Sequence, residues 1–216
     1  MTNKLEPIAK YNVLLFTLTF IYVFIVGLFE STTIINEIYN LVFSAIYIVS
    51  AMVISDKGNK RFFILAGITT IVMWSADFLD MHYLSIISAV ISIMFLILII
   101  FFMVVRIAKS KKVGLLEFTE AINIYFLMGI IGSVLFKIVY NFVPGKSFNI
   151  PGDTLVPTTD FIYFSFVTLS TLGYGDITPI DPFAKSLAIF LSICGQLYLT
   201  MIIAMLVGKY LSAKQS

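Results

Sequence analysis

The sequence predicts an all-α integral membrane fold: six transmembrane helices, with a shorter re-entrant helix between the last two. Three observations carry that expectation. The first is composition. Of 216 residues, 60% are hydrophobic and only 12% are charged, and the mean hydropathy is +1.03. A soluble domain of this length needs far more polar surface. The second is the recurrence of long apolar runs near the about 20 residues that cross a bilayer. The third is an interruption. Residues 171–176, TLGYGD, set two glycines, a tyrosine and an aspartate between apolar segments, where lipid tolerates no unpaired backbone.

In chain order, residues 11–29 carry no charge, and residues 38–54 are clean, with Glu37 at their edge. Residues 62–76 are short and span if their ends reach the interface. Residues 83–105 are charge-free and long enough to cross with tilt. Residues 121–143 are broken only by Lys137, and residues 186–208 are again charge-free. The first run is too long for a cleaved signal, and GLFESTT after it lacks the small-x-small cleavage pattern.

Charge sets the orientation. With a cytosolic N-terminus, the inner segments hold Lys4, Lys10, Lys57, Lys60, Arg61, Arg106, Lys109, Lys111, Lys112, Lys209 and Lys214. The outer ones hold Lys146 and Lys185, together with Glu30, Asp77, Asp80, Asp153, Asp160, Asp176 and Asp181. Lys137 can snorkel outward. This is a strong positive-inside bias. It predicts a multi-pass protein of the cell membrane with both termini cytosolic and TLGYGD on the external side.

Between the fifth and sixth spans, NFVPGKSFNIPGDTLVPTTD is rich in Pro, Gly and Asn and reads as an exposed outer loop. The aromatic TTDFIYFSFVTLS that follows, about 13 residues, is too short to span and fits a re-entrant half-helix. Thr158, Thr159 or Asp160 can cap its N-terminus. Its C-terminus then points into the membrane, where the partial negative charge of the helix end favours a cation. The chain returns to the surface through residues 171–175. Alternating glycines permit positive φ, so that successive carbonyls aim the same way. A row of such carbonyls replaces the water shell of a desolvated cation, and the Thr171 hydroxyl adds an oxygen at the inner end.

STLGYGD, after an aromatic half-helix and before a last membrane helix, resembles the signature of potassium channels. The resemblance covers roughly residues 117–216. It implies a pore domain over residues 113–216, preceded by a four-helix membrane scaffold over residues 1–112. It implies K⁺ ions bound by the carbonyls of Thr171, Leu172, Gly173 and Tyr174 with the Thr171 hydroxyl, and no other cofactor. Gly175 closes the outer mouth, and Asp176 and Thr178 flank it. Leu172 stands where Val is commonest, and since the ligand is a backbone carbonyl, selectivity should survive. Some relatives pair the aspartate with a glutamate in the half-helix. The matching position here is Val167, which leaves Asp176 without that partner. Tyr163, Phe164 and Phe166 are expected to support the filter as an aromatic cuff. Phe164 has no hydroxyl for Tyr174, whereas Tyr163 has one. Thr178 occupies the position where an aromatic ring favours tight external block by quaternary ammonium ions, so weak block is expected. One filter per chain cannot encircle an ion, which predicts a cyclic homotetramer.

In the last helix, Gly195 lies where pore-lining helices of this superfamily carry a gating glycine. A mid-helix Gly costs about 1 kcal/mol relative to Ala, so the site reads either as a hinge or as close packing against the half-helix. Gln196, Leu199 or Thr200, Ile203 and Val207 recur at helical spacing and are assigned to the cavity. The first four helices resemble a voltage-sensor scaffold in count only. Residues 83–105 carry no Arg or Lys, and Arg106 sits at the cytosolic end, so little voltage dependence is expected. The stretch RIAKSKKVGLLEFTEA reads as an interfacial linker helix or a polar loop.

Asp77, Asp80 and His82 offer a metal or pH site, although a solvated outer loop is the more ordinary explanation. Lone Cys194 reads as a packing residue. The net charge of +2, with no basic cluster interleaved with aromatics, argues against nucleic acid. No intramembrane acid, base or nucleophile cluster supports an enzyme. Two alternatives to a self-sufficient channel are a potassium-uptake transporter subunit and a regulatory subunit that conducts only with a partner. The partners expected are membrane lipid and copies of the chain, with a separate gating protein or ligand left open. About eight residues follow the last apolar run, so no cytosolic sensing domain is expected after it.

Overall fold

The computed structural model describes residues 5–28, 33–54, 60–79, 82–110, 114–142, 147–150 and 158–215. The described chain is helical apart from short connections, one two-residue ribbon and the irregular segment at residues 170–177. The helices are α1 (Leu5–Phe20), α2 (Thr33–Ile54), α3 (Lys60–Phe78), α4 (His82–Lys109), α5 (Leu115–Phe142), α6 (Thr158–Leu169) and α7 (Pro182–Gln215). The ribbon pairs β1 (Phe148–Asn149) with β2 (Thr178–Pro179). Helix α1 runs on through a π turn (Ile21–Ile25) and a 3₁₀ turn (Val26–Leu28). Among the described residues, five helices are long and apolar enough to cross a membrane. The apolar stretch of α3 that qualifies is shorter, Phe62–Val72. The chain is therefore a multi-pass membrane protein.

The chain forms two compact units, Met1–Ile124 and Tyr125–Ser216. The division falls inside α5, about a dozen residues beyond the boundary expected at residue 112. Among the described residues, no separate linker helix precedes α5. Instead α4 runs to Lys109, and Glu117 starts α5 by accepting from the Gly114 N–H at 2.9 Å. That reach-back from the third helical residue is half of a capping box. Glu117 also accepts from Ser110 Oγ at 2.7 Å.

In the first unit, α2 packs against α1, α3 and α4, and α3 against α4. Tyr22 from the π turn meets Tyr39 edge-on at 5.3 Å, and Tyr47 meets Phe95 at 4.4 Å. Small polar residues bond within the helices rather than breaking them: Ser44 Oγ donates to the Asn40 carbonyl at 2.8 Å and accepts from Trp74 Nε1 at 2.9 Å. The first turns of α5 are tied to this unit by a buried polar cluster. Arg106 Nε lies 2.7 Å from Glu120 Oε1, without the alignment of a hydrogen bond, and Arg106 Nη1 donates to the Val53 carbonyl at 2.8 Å. Asn12 Nδ2 donates to Glu120 Oε1 at 3.2 Å, and Asn123 Nδ2 donates to the Asn12 carbonyl at 2.9 Å. Asn12, Glu120 and Asn123 are all fully buried.

The second unit closes on an aromatic core. Phe136 of α5 meets Phe164 of α6 at 4.7 Å and Phe148 of β1 at 5.7 Å, and Phe161 joins Phe148 at 5.9 Å. Leu169, Ile177, Ala184 and Leu191 complete it. Close approach of α5 to α6 requires Gly129 and Gly132. A Cβ at Gly129 would overlap the Phe166 ring, and one at Gly132 would overlap Ser165 Oγ. Asp181 caps α7 by accepting from the N–H groups of Phe183 at 2.8 Å and Ala184 at 3.2 Å, with Pro182 at the first helical position.

Candidate functional site

Helix α6 holds 12 residues, about 18 Å at ~1.5 Å per residue, against a hydrocarbon core of about 30 Å. Its N-terminus is tied to α5, since Lys137 Nζ donates to Thr158 Oγ1 at 3.2 Å. Its last turn then hands the chain to the glycine segment. The Thr171 N–H donates to the Thr168 carbonyl at 3.0 Å, and the Val167 carbonyl accepts from Leu172 at 3.0 Å and Gly173 at 3.4 Å. Val167 itself is buried.

Beyond that anchor the backbone alternates. Thr171, Gly173 and Gly175 have φ of 61°, 57° and 83°. Leu172 and Tyr174 between them are not in the left-handed region. Alternating the sign of φ turns successive peptide planes so that their carbonyls emerge on one side. For the two glycines this conformation is ordinary. For Thr171, a β-branched residue, it is an outlier of the kind that clusters at functional sites. Residues 171–176 are all exposed.

With Val167 in place of a glutamate, Asp176 has a different partner. Tyr163 Oη donates to Asp176 Oδ2 at 2.6 Å. Tyr163 precedes Val167 by four residues, hence one helical turn, and its long phenol reaches the outer end of the segment. The bond holds the Asp176 carboxyl below its ordinary value and pushes the Tyr163 phenol up to about 12. The Tyr163 hydroxyl therefore serves Asp176 rather than Tyr174. Of the expected cuff, Tyr163 makes this bond to Asp176. Phe164 is a core residue against Phe136, and Phe166 packs on Gly129 and Phe126.

Thr178 lies in the ribbon, opposite Asn149. The ribbon is fastened by the Ser147 carbonyl, which accepts from the Ile180 N–H at 2.8 Å. Gly195 sits within unbroken α7, where an added Cβ would overlap the Leu169 carbonyl oxygen. Its observed role is close approach of α7 to the end of α6. Gln196 follows, and its Nε2 donates to Thr171 Oγ1 at 3.0 Å. Of the lining candidates, Gln196, Ile203 and Val207 are exposed, as is Thr200, whereas Leu199 is half-buried. Cys194 is a free, half-buried thiol. Asp80 and the side chains of Asp77 and His82 lie outside the described residues. Among those described, no cluster of three metal-ligating side chains occurs.

Sequence reasoning missed the bond from Gln196 to Thr171 and the cluster at Asn12, Glu120 and Asn123. The second had a visible signal: amide and carboxyl residues inside otherwise apolar helices need partners. The first had none, because residues 25 apart meet only through the packing of Gly195.

Residues 124–212 match the family described as "Ion channel". Two plant proteins are similar to part of the chain: "Two pore potassium channel c" of Oryza sativa subsp. japonica, 36% identical over 76 residues, and "Two-pore potassium channel 5" of Arabidopsis thaliana, 35% identical over 60 residues. These matches cover 35% and 28% of this chain but only 16% and 15% of the relatives. "Potassium channel K1" of Plasmodium berghei (strain Anka) is 53% identical over 32 residues, 15% of this chain and 2% of that protein.

Proposed function

We propose that this chain is the subunit of a homotetrameric, potassium-selective channel that conducts K⁺ passively across the cell membrane, a reading supported by the match of residues 124–212 to an ion channel family and by the similarity to proteins named potassium channels. The observation that carries this function is the alternation of φ along Thr171, Gly173 and Gly175 at the C-terminal end of a helix too short to span. K⁺ would be held by the carbonyls of Thr171, Leu172, Gly173 and Tyr174 and by the Thr171 hydroxyl, all oxygen ligands suited to a hard cation. Six membrane crossings, with α3 as the sixth, put both termini in the cytosol and the 171–176 segment near the outer face. Helix α4 has no Arg or Lys before Arg106, and Arg106 is held by Glu120 and the Val53 carbonyl. Gating is accordingly independent of voltage.

Reconstitution of the chain alone into liposomes tests this. K⁺ and Rb⁺ should pass and Na⁺ should be largely excluded. A reversal potential near zero under K⁺ against Na⁺ would overturn selectivity. Absence of flux without an added protein would point to a partner-dependent subunit instead.

A further inference from the structure

Gln196 lies one residue after the glycine that seats α7 on Leu169, and that close approach brings its side chain to the inner end of the 171–175 segment. Its Nε2 donates to Thr171 Oγ1 at 3.0 Å. Thr171 is the residue that most needs holding. Among the described residues it alone, other than glycine, has a positive φ, 61°, and β-branching disfavours that region. Two bonds restrain it: its N–H to the Thr168 carbonyl at 3.0 Å and its hydroxyl oxygen to Gln196.

A threonine hydroxyl has one proton and two acceptor sites. A donor from α7 fills one acceptor site and turns the hydroxyl proton elsewhere, which leaves the other site free for a cation. If the amide accepted instead, the proton would point to α7 and both lone pairs would face away from it. The direction of this bond therefore decides how the oxygen is presented.

We propose that Gln196 is a positioning residue for the innermost cation site, a role that rests on reading residues 171–175 as the filter. By donating to Thr171 Oγ1, it fixes the hydroxyl rotamer and leaves one lone pair for the ion. It thereby sets discrimination between K⁺ and Na⁺ at the inner end of the segment.

The test is the K⁺/Na⁺ permeability ratio of the reconstituted full chain, from bi-ionic reversal potentials. Gln196→Met keeps the shape and removes the donor. It should lower the ratio about fivefold, the factor that corresponds to one neutral hydrogen bond. Gln196→Glu keeps the shape and, recorded at a pH where its carboxyl is ionised, can only accept, so it should lower the ratio in the same direction. It also carries the test if the Met variant does not assemble. In a Thr171→Val background, which lacks the hydroxyl, adding Gln196→Met should change the ratio by less than about twofold. A purely structural glutamine would alter thermal stability but not show this dependence on the hydroxyl. An unchanged ratio in Gln196→Met, wild-type behaviour in Gln196→Glu, or an equal drop in the Thr171→Val background would each overturn the role while wild type stays selective. An unselective wild type would instead overturn the filter assignment, and this role with it.

Discussion

Tyr163 Oη and Asp176 Oδ2, 2.6 Å apart, link the outward end of the glycine segment to the middle of α6. The bond needs an ionised carboxylate and a neutral phenol. The folded value of Asp176 is lowered, chiefly by the Tyr163 bond. Its contribution is therefore complete above the ordinary aspartate value of about 3.9 and is lost as pH falls through the lowered value. Tyr163 is raised to about 12. Its contribution is complete below the ordinary phenol value of about 10 and is lost as pH rises through about 12. The pair should be silent from pH 5 to pH 9. Tyr163→Phe should move the Asp176 titration up toward about 3.9, measured by carboxyl-carbon NMR; an unmoved titration would show that the phenol is not its partner. This contact was half legible. Both residues stood out in the sequence, but the missing glutamate at Val167 hid the fact that a tyrosine one turn earlier reaches the same carboxylate. Gly173 and Gly175 were fully legible, because positive φ is the property for which glycine is used.

The apolar runs located every helix of the described chain, but not its ends. Helix α1 begins at Leu5, α5 at Leu115, and α7 continues to Gln215, each past the apolar run into polar sequence. Hydropathy reports where lipid lies, whereas a helix continues while its backbone bonds are made. The start of α5 shows the consequence. Glu117 and Glu120 look like the polar end of a loop, yet the first caps the helix and the second is buried against Arg106. Removing one member of a buried ion pair leaves the other uncompensated, which costs about 3–5 kcal/mol; replacing both with apolar residues costs much less. Arg106 retains some exposure, so the lower end of that range applies. Glu120→Leu should accordingly lower the thermal midpoint of the solubilised protein well below that of the Arg106→Met, Glu120→Leu double variant. Equal midpoints would deny the coupling. The same pair bears on voltage. A charge crossing the whole field is worth about 2.3 kcal/mol per 100 mV, and steep sensors move three or four per subunit. Arg106 is the first basic residue of α4, at its end and held by Glu120. Open probability should therefore change little over 100 mV in single-channel records, and an e-fold rise within a few millivolts would refute it.

At the scale of the molecule, one chain is an incomplete solvent for its own glycine segment. Leu172 and Tyr174 are 61% and 69% exposed, and the backbone beside them lies at the end of a helix too short to reach across. Unpaired backbone is tolerated at membrane depth only where protein or a wet path surrounds it. A second, different protein could cover one side. A ring of copies presents the same oxygens from every side to one axis, and a heterologous contact that closes by rotation yields such a ring. Sequence reasoning proposed four chains from one filter per chain, and the exposure of the segment is a physical ground for testing that proposal. Native mass spectrometry should find four 24.2 kDa chains for the wild type. Gly173→Ala separates assembly from conduction. A Cβ there meets no atom of its own chain within 4 Å, so the cost is conformational: a residue with a side chain is disfavoured at φ 57° by about 1–2 kcal/mol. That is too small to dissolve an oligomer built on helix packing. Repeated in four chains around the proposed ion path, it is large enough to disturb the carbonyl alternation on which the proposed K⁺ coordination rests. The variant should therefore keep the four-chain mass and lose at least about tenfold of its K⁺ flux, the factor that 1.4 kcal/mol represents. Wild-type flux and selectivity in a variant that remains tetrameric would show that the ion does not pass along residues 171–175.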